Sequence, residues 1–277
     1  MQQEITSKPP LRVALIGFGS IGAELYRVLQ AAPDQVNVCG ALVSASTAAK
    51  PRPPDADPGP VRWHLFAELI RSAPDIVVEC AGHHAVDVYG ELVLSAGADL
   101  LLVSVGALAD AARYDRLRQA AQRSGRQVLL ASGAIGGLDI LGAARRAGLD
   151  FVQYRARKPP AAWRETAAEA RLNLDALSEP AVFFSGSARM AALAYPKNAN
   201  VAATIALAGI GFDDTLVELI ADPAVAGNVH EIEANGVSGR ISIRIEGLAS
   251  LNNPKTSMVT AYSLASELFK RRALMVI

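Results

Sequence analysis

The stretch LRVALIGFGSIGAEL, Leu11 to Leu25, narrows most what this chain can become: an apolar run ends in Gly17, Gly19 and Gly22 and passes at once into a helical pattern. A first glycine permits a tight turn after a strand, a second lets backbone approach a pyrophosphate, and a third allows the helix to pack closely on the strand. The helix N-terminus then offers N–H donors to the anion. Three glycines alone are weak support. Here the strand before, the helix after and the place at the head of a βα series agree, so Gly17, Gly19, Ser20, Ile21 and Gly22 read as a dinucleotide site. The plainer alternative is a turn that has kept its shape and lost its ligand.

Four further apolar runs follow, VNVCGALVS, DIVVECAG, ADLLLVSVGAL and RQVLLASGAIGG, separated by helical patterns. Continuous apolar strands alternating with helices demand a parallel sheet covered on both faces, which makes residues 1–136 a Rossmann-like, doubly wound α/β domain. The segment from Ala45 to Pro60 holds Pro51, Pro53, Pro54, Pro58 and Pro60 and reads as an exposed loop.

Past about residue 136 the pattern changes. In GRISIRIEG, Ile241, Ile243 and Ile245 alternate with Ser242, Arg244 and Glu246, as a sheet with one covered face requires. With FVQYRARKP, AVFFSGS, DTLVELIADP and NVHEIEANG, this predicts a second α+β domain over 137–251, its sheet mainly antiparallel. Residues 252–277 predict a helix that returns to the first domain, with Asn253 and Pro254 at its start and Thr260, Leu264 and Leu268 along one face.

Charge excludes one class of partner. Lys plus Arg (27) equals Asp plus Glu (27), and no basic cluster is interleaved with aromatics, so a small molecule is expected rather than a nucleic acid. The leader MQQEITSKPP lacks the apolar core of a signal peptide, and no apolar run approaches the roughly 20 residues that span a bilayer, so the expected compartment is the cytoplasm. Cys39 and Cys80 sit in strand-like runs without metal-ligand spacing and read as small core residues.

The end of the second strand, GALVSAST, lacks the acid that grips the ribose of NAD. Ser44, Ser46 and Thr47 can donate to a phosphate and Lys50 or Arg52 can neutralise it, so NAD or NADP is admitted. In a parallel sheet ligands gather beyond the strand ends. That places Ala81 and Gly82 of ECAGHH beside the cofactor and makes His84 a candidate substrate contact, with one of His83 and His84 at a helix start. His64 reads as structural. In the second domain Lys158, Arg189, Lys197 and Lys255 are candidate cations for a carboxylate, Asn200 offers an amide to a carboxamide, and Asn198 reads as a helix cap. His230 shares a strand face with Ile232 and Ala234, which by periodicity alone describes a half-buried structural histidine.

The blocks VVECAGH, SGAIGGLD, YPKNANVAATIALAG, LIADP followed by NVHEIEA, and NPKTSMVTAYS resemble, in order and over nearly the whole chain, the L-aspartate dehydrogenase family. The resemblance implies NAD(P)-dependent oxidation of L-aspartate to iminoaspartate, which hydrolyses to oxaloacetate and ammonia or enters NAD biosynthesis, and the reverse reductive amination. It implies Ala134 and Asn200 as cofactor contacts, His230 as an acid/base titrating near neutral pH, and a homodimer. Two substrate carboxylates then need two cationic subsites, for which Lys158 and Lys197 lead. The competing readings are another two-domain nicotinamide reductase, of the homoserine dehydrogenase or dihydrodipicolinate reductase type, and a dinucleotide-binding sensor without chemistry.

Overall fold

The computed structural model describes residues 9–49, 59–196, 200–250 and 253–276. These divide into two compact units, one holding the chain up to Leu102 with Gln119–Leu129 and the residues from Ala261 on, the other holding Val103–Arg118 and Leu130–Thr260.

The first unit is built on β1 (Leu11–Ile16), β2 (Val36–Leu42), β3 (Arg62–Trp63), β4 (Ile76–Glu79), β5 (Asp99–Leu102) and β6 (Val128–Leu130). They lie in the order β3-β2-β1-β4-β5-β6, with parallel pairing from β3 through β5. The order reverses beside β1, the switch point where such sheets bind ligands. β4 is buried throughout and β1 at every residue but Arg12, as strands covered on both faces must be. The helices between them are α1 (Ser20–Leu29), α2 (Ala45–Ala48), α3 (Phe66–Arg71), α4 (His83–Ser95) and α5 (Ala111–Ser124), of which α5 up to Arg118 groups with the second unit. The short helix α2 corrects the expected loop. No proline falls between Ser44 and Pro51, and Ser44 caps the turn by accepting from the Thr47 N–H at 3.2 Å.

The second unit carries α6 (Leu138–Ala147), β7 (Leu149–Lys158), β8 (Ala181–Ser187), α7 (Ala188–Ala194), α8 (Asn200–Ala208), β9 (Leu216–Ala221), β10 (Asn228–Gly236) and β11 (Gly239–Gly247). Its sheet runs β11-β10-β7-β9-β8 and is antiparallel except for the parallel pair of β7 and β9. Helices α6, α7 and α8 pack on one face. The other carries cross-strand ion pairs: Arg155 with Glu218 and Glu233, Arg157 with Asp222 and Glu231, and Arg244 with Glu231. The 3-10 turn Val105–Ala109 belongs to this unit and packs on α7 and α8.

The expected helix start at Asn253 is also corrected. Asn253–Ser257 is a strand, β13, paired with β12 (Ala249–Ser250), and α9 (Val259–Lys270) begins after it. Proline is tolerated in a two-stranded edge hairpin, so Pro254 marks strand here and not helix. Thr260, Leu264 and Leu268 are buried along α9, whose residues from Ala261 group with the first unit.

Candidate active site

The glycine loop is a backbone device. Gly17 has φ +90°, and a Cβ there would lie 2.9 Å from the Ala81 Cβ. At Gly22 a Cβ would meet the Gly17 carbonyl oxygen at 2.6 Å, so both glycines are demanded by packing. Gly19 differs: it is exposed, a Cβ added to it would meet no atom within 4 Å, and it forms the N-cap of α1. The first N–H to close a helical bond is that of Ala23, onto Gly19 O at 2.9 Å. The N–H groups of Ser20, Ile21 and Gly22 precede it and have no acceptor within the helix. An open glycine beside first-turn donors fits the pyrophosphate of a dinucleotide.

The neighbouring strand ends are partly committed elsewhere. Glu79, 1% exposed, accepts from the N–H groups of Ala81 and Gly82, both at 2.7 Å. That carboxylate fixes the turn after β4, so Ala81 and Gly82 can meet a cofactor through their other backbone atoms. Gly82, with φ +109°, caps α4, which makes His83 the first helical residue and leaves His84 exposed on the first turn. At the end of β2 the Ser44 hydroxyl donates to Thr47 Oγ1 at 2.9 Å and lies 3.0 Å from Ser46 Oγ, a small hydroxyl cluster in solvent. His64 is exposed beside Glu68. Cys39 and Cys80 are free thiols of intermediate exposure, and burial pushes both up, Cys80 the more.

In the second unit His230, Tyr154 and Lys158 come together. β10 pairs with β7 so that His230 lies opposite Ala156, and Tyr154 and Lys158 flank Ala156 on the same face. His230 is 3% exposed, correcting the half-buried expectation. Its Nδ1 is 2.7 Å from the Tyr154 hydroxyl, with the rings stacked 6.0 Å apart, and its buried Nε2 has no hydrogen-bond partner among the described residues. Burial, with the Lys158 charge nearby, pushes the imidazole down to about 3. The expectation of titration near neutral pH is thereby corrected: in the free protein His230 is a neutral ring. Tyr154 is also fully buried, and burial raises its phenol well above the ordinary range. Lys158, 5% exposed, reaches over the Trp163 ring at 5.1 Å and is pushed down to about 8 by burial.

Other candidates are occupied. Arg189 grips Asp213 through two hydrogen bonds of 2.6 and 2.8 Å and donates to the Ala109 carbonyl, which makes it a structural clasp. Asn200 Oδ1 accepts from the Gly106 N–H at 2.9 Å, so its NH₂ is the half left to address a ligand. Ala134 is half-buried in the turn leading to α6. Lys197, Asn198, Lys50 and Arg52 lie outside the described residues, as does the side chain of Lys255. Thus Gly17, Gly19, Ser20, Ile21, Gly22, Ser44, Ala81, Gly82 and His84 belong to the first unit, and Ala134, Lys158, Asn200 and His230 to the second. Sequence reading missed Tyr154, Glu79 and the Gly106 contact. Alternation in FVQYRARKP puts Tyr154 beside Lys158 on the covered face, a signal that was present.

The chain is similar to known proteins over nearly its whole length. The family described as aspartate dehydrogenase, C-terminal, matches residues 139–271, and the NAD binding domain of homoserine dehydrogenase matches residues 17–131. The chain is 45% identical over 269 residues to an L-aspartate dehydrogenase of Ralstonia pickettii, covering 94% of this chain and 97% of that one. It is 46% identical over 265 residues to one of Ruegeria pomeroyi, covering 95% and 93%. Among solved structures, the aspartate dehydrogenase of Thermotoga maritima superposes with a TM-score of 0.76 at 28% identity, covering 96% of this chain and 99% of that one. With a nucleotide-binding first unit and a second unit that carries the family's own C-terminal signature, this chain belongs to the L-aspartate dehydrogenase family.

Proposed function

We propose that this chain oxidises L-aspartate to iminoaspartate, which hydrolyses to oxaloacetate and ammonia, and that it runs the reductive amination in reverse. A nicotinamide dinucleotide, when bound, would supply the acceptor for the hydride from the substrate Cα. The chain's own residues bind, orient and move protons. The N–H groups of Ser20, Ile21 and Gly22 hold the pyrophosphate beside Gly19, and Gly17 keeps the loop tight. Ser44 lies toward the ribose, and because no acid closes β2, both NAD and NADP are accepted. Ala81 and Gly82 are assigned to the same cofactor by their place beyond the end of β4, and Ala134 and Asn200 by the family resemblance.

His230 takes a proton from the substrate ammonium at Nε2 and later assists water in attacking the imine. A neutral imidazole is the form that this step needs. Substrate carboxylates add negative charge that opposes the Lys158 field and raises the ring's affinity for a proton. Lys158 binds one carboxylate: burial disfavours its charge, and an anion restores it. Lys197 and His84 are proposed for the other. Homodimer formation and a cytoplasmic location complete the reading, and no helix among the described residues is long and apolar enough to cross a membrane.

The observation that carries the proposal is His230: a buried neutral ring, held at Nδ1 by Tyr154, with Nε2 left without a protein partner among the described residues. The test is a panel of amino acids with NAD and with NADP, following reduced nicotinamide by absorbance. Aspartate should dominate, and turnover of alanine or glutamate at an equal rate would overturn the assignment. Alanine lacks the second carboxylate, so it forfeits the interactions that a site built for two carboxylates offers.

A further inference from the structure

The partner of His230 is a phenol where a carboxylate would be the commoner choice, and that difference has a chemical consequence. A carboxylate at Nδ1 stabilises imidazolium and would keep the ring charged. The Tyr154 hydroxyl is neutral, and its burial at 0% exposure keeps it protonated. It can donate to Nδ1 or accept from Nδ1–H by turning about its C–O bond. Among the described residues its one hydrogen-bond partner is His230, at 2.7 Å.

Among the described residues, each neutral tautomer of the pair therefore leaves one buried donor without a partner. If the phenol donates to Nδ1, that donor is Nε2–H. If Nδ1–H donates to the phenol, it is the phenolic O–H. Both tautomers carry such a cost, so the pair locks neither and lets the ligand decide between them.

We propose that Tyr154 is a positioning residue for the reaction: its hydroxyl accepts from Nδ1–H of His230 while Nε2 presents a lone pair to the substrate ammonium, and turns to donate when Nε2–H is needed. In the forward step one N–H bond of the ammonium breaks and one Nε2–H bond forms. Tyr154 keeps its proton throughout, and its oxygen holds the Nδ1–H of the imidazolium. The charged group whose field the ring feels is Lys158, on the same strand as Tyr154, so the imidazolium is short-lived and the proton is readily returned.

This inference rests on the acid/base reading of His230, and its test separates the two. Tyr154→Phe keeps the ring and removes only the hydroxyl. In the full-length protein kcat for aspartate should fall about 10- to 100-fold, the range of a hydrogen bond to a charged group. KM for aspartate and the cofactor Kd should stay within about threefold, since no contact with either is removed. The acid limb of the kcat profile should move to lower pH, because imidazolium loses its acceptor. A structural role alone would lower thermal stability and leave the limb in place. Wild-type kcat and an unmoved limb in Tyr154→Phe would overturn the proposal.

Independently of turnover, the ¹⁵N signals of the His230 ring report the Nδ1 and Nε2 protonation states. In wild type near neutral pH both nitrogens should show shifts averaged between tautomers, and Tyr154→Phe should move them toward a single tautomer. A wild-type ring fixed in one tautomer, or signals identical in the two proteins, overturns the proposal even if the variant is too unstable to assay. Absence of aspartate turnover in wild type with the averaged ¹⁵N signals present would refute the proposed activity and leave the Tyr154–His230 coupling standing.

Discussion

The glycine loop of the first unit and the histidine cluster of the second are made by opposite means. The loop offers backbone: N–H groups at the start of α1, brought close because Gly17 and Gly22 have no side chain. The cluster offers side chains from β7 and β10, separated by 76 residues between Tyr154 and His230, and burial sets its protonation. A backbone site ties ligand affinity to local fold, whereas a side-chain site can lose its chemistry and keep its shape. Substitutions in the second unit should therefore separate turnover from stability more cleanly than those in the loop.

The largest effect expected is at His230. His230→Ala should lower kcat by roughly 10²–10⁴, the usual contribution of general acid–base catalysis, with cofactor Kd nearly unchanged. Stopped-flow or steady-state turnover beside a cofactor titration checks it, and near-wild-type kcat would return His230 to a packing role. Next is Lys158→Met, which should raise KM for aspartate about 30-fold or more, as loss of one member of a buried charge pair does on binding. A lower thermal midpoint with unchanged KM would mark Lys158 as structural.

Proton linkage sharpens the same contrast without any ligand. The folded-state pKa of His230, about 3, lies below its ordinary 6.5, so the stability it permits is complete above about pH 6.5. As pH falls the unfolded chain takes up a proton that the folded ring refuses, and the loss continues down to about pH 3. At about pH 5 the wild type should have lost about 2 kcal/mol on this account. His230→Gln should lack that part of the decline, and parallel urea midpoints for the two proteins between pH 7 and 5 would show that the ring is not held neutral.

The two sites also differ in how far each could be read from the chain. The loop was legible because its determinants are contiguous: strand, Gly17, Gly19, Gly22 and helix fall in one stretch, and the fold around it follows from apolar runs that need two covered faces. His230 could be named by resemblance and placed on a strand face by alternation, but neither its full burial nor its pKa could be read, since the Lys158 field and the Tyr154 hydroxyl arrive through the pairing of β10 with β7. The same holds for Arg189, which sequence offers as a free cation and tertiary structure commits to Asp213 and Ala109. Local signals also misled where a nearby cue competed: Ser44 capped a helical turn ahead of the prolines, and Pro254 fell in a hairpin strand.

Within the loop itself, Gly19 and Gly22 should part company. A methyl at Gly22 meets the Gly17 oxygen at 2.6 Å, so Gly22→Ala should lower stability and weaken cofactor binding together. Gly19→Ala meets no protein atom within 4 Å, so stability should hold while cofactor Kd rises about tenfold from the methyl standing where the pyrophosphate approaches. Calorimetry of the apo proteins with a cofactor titration separates the two, and an unchanged Kd in Gly19→Ala would move the pyrophosphate away from that glycine.

The smallest effect concerns which dinucleotide is held, and it is the cleanest test of whether the end of β2 faces the ribose. Ser44→Asp keeps the capping role, because aspartate accepts the Thr47 N–H as well as serine does, so the helical turn α2 and the fold should be unaffected. What changes is charge in an exposed position. A carboxylate there repels a 2′-phosphate and can accept from a 2′-hydroxyl, the discrimination that an acid at this strand end usually provides. Screening by solvent limits the effect to about 5- to 10-fold, so KM for NADP should rise by that factor while KM for NAD holds or falls slightly. The NADP penalty should shrink as salt is raised, which a packing defect would not do. Equal changes for both cofactors, or a salt-independent loss, would place Ser44 away from the ribose.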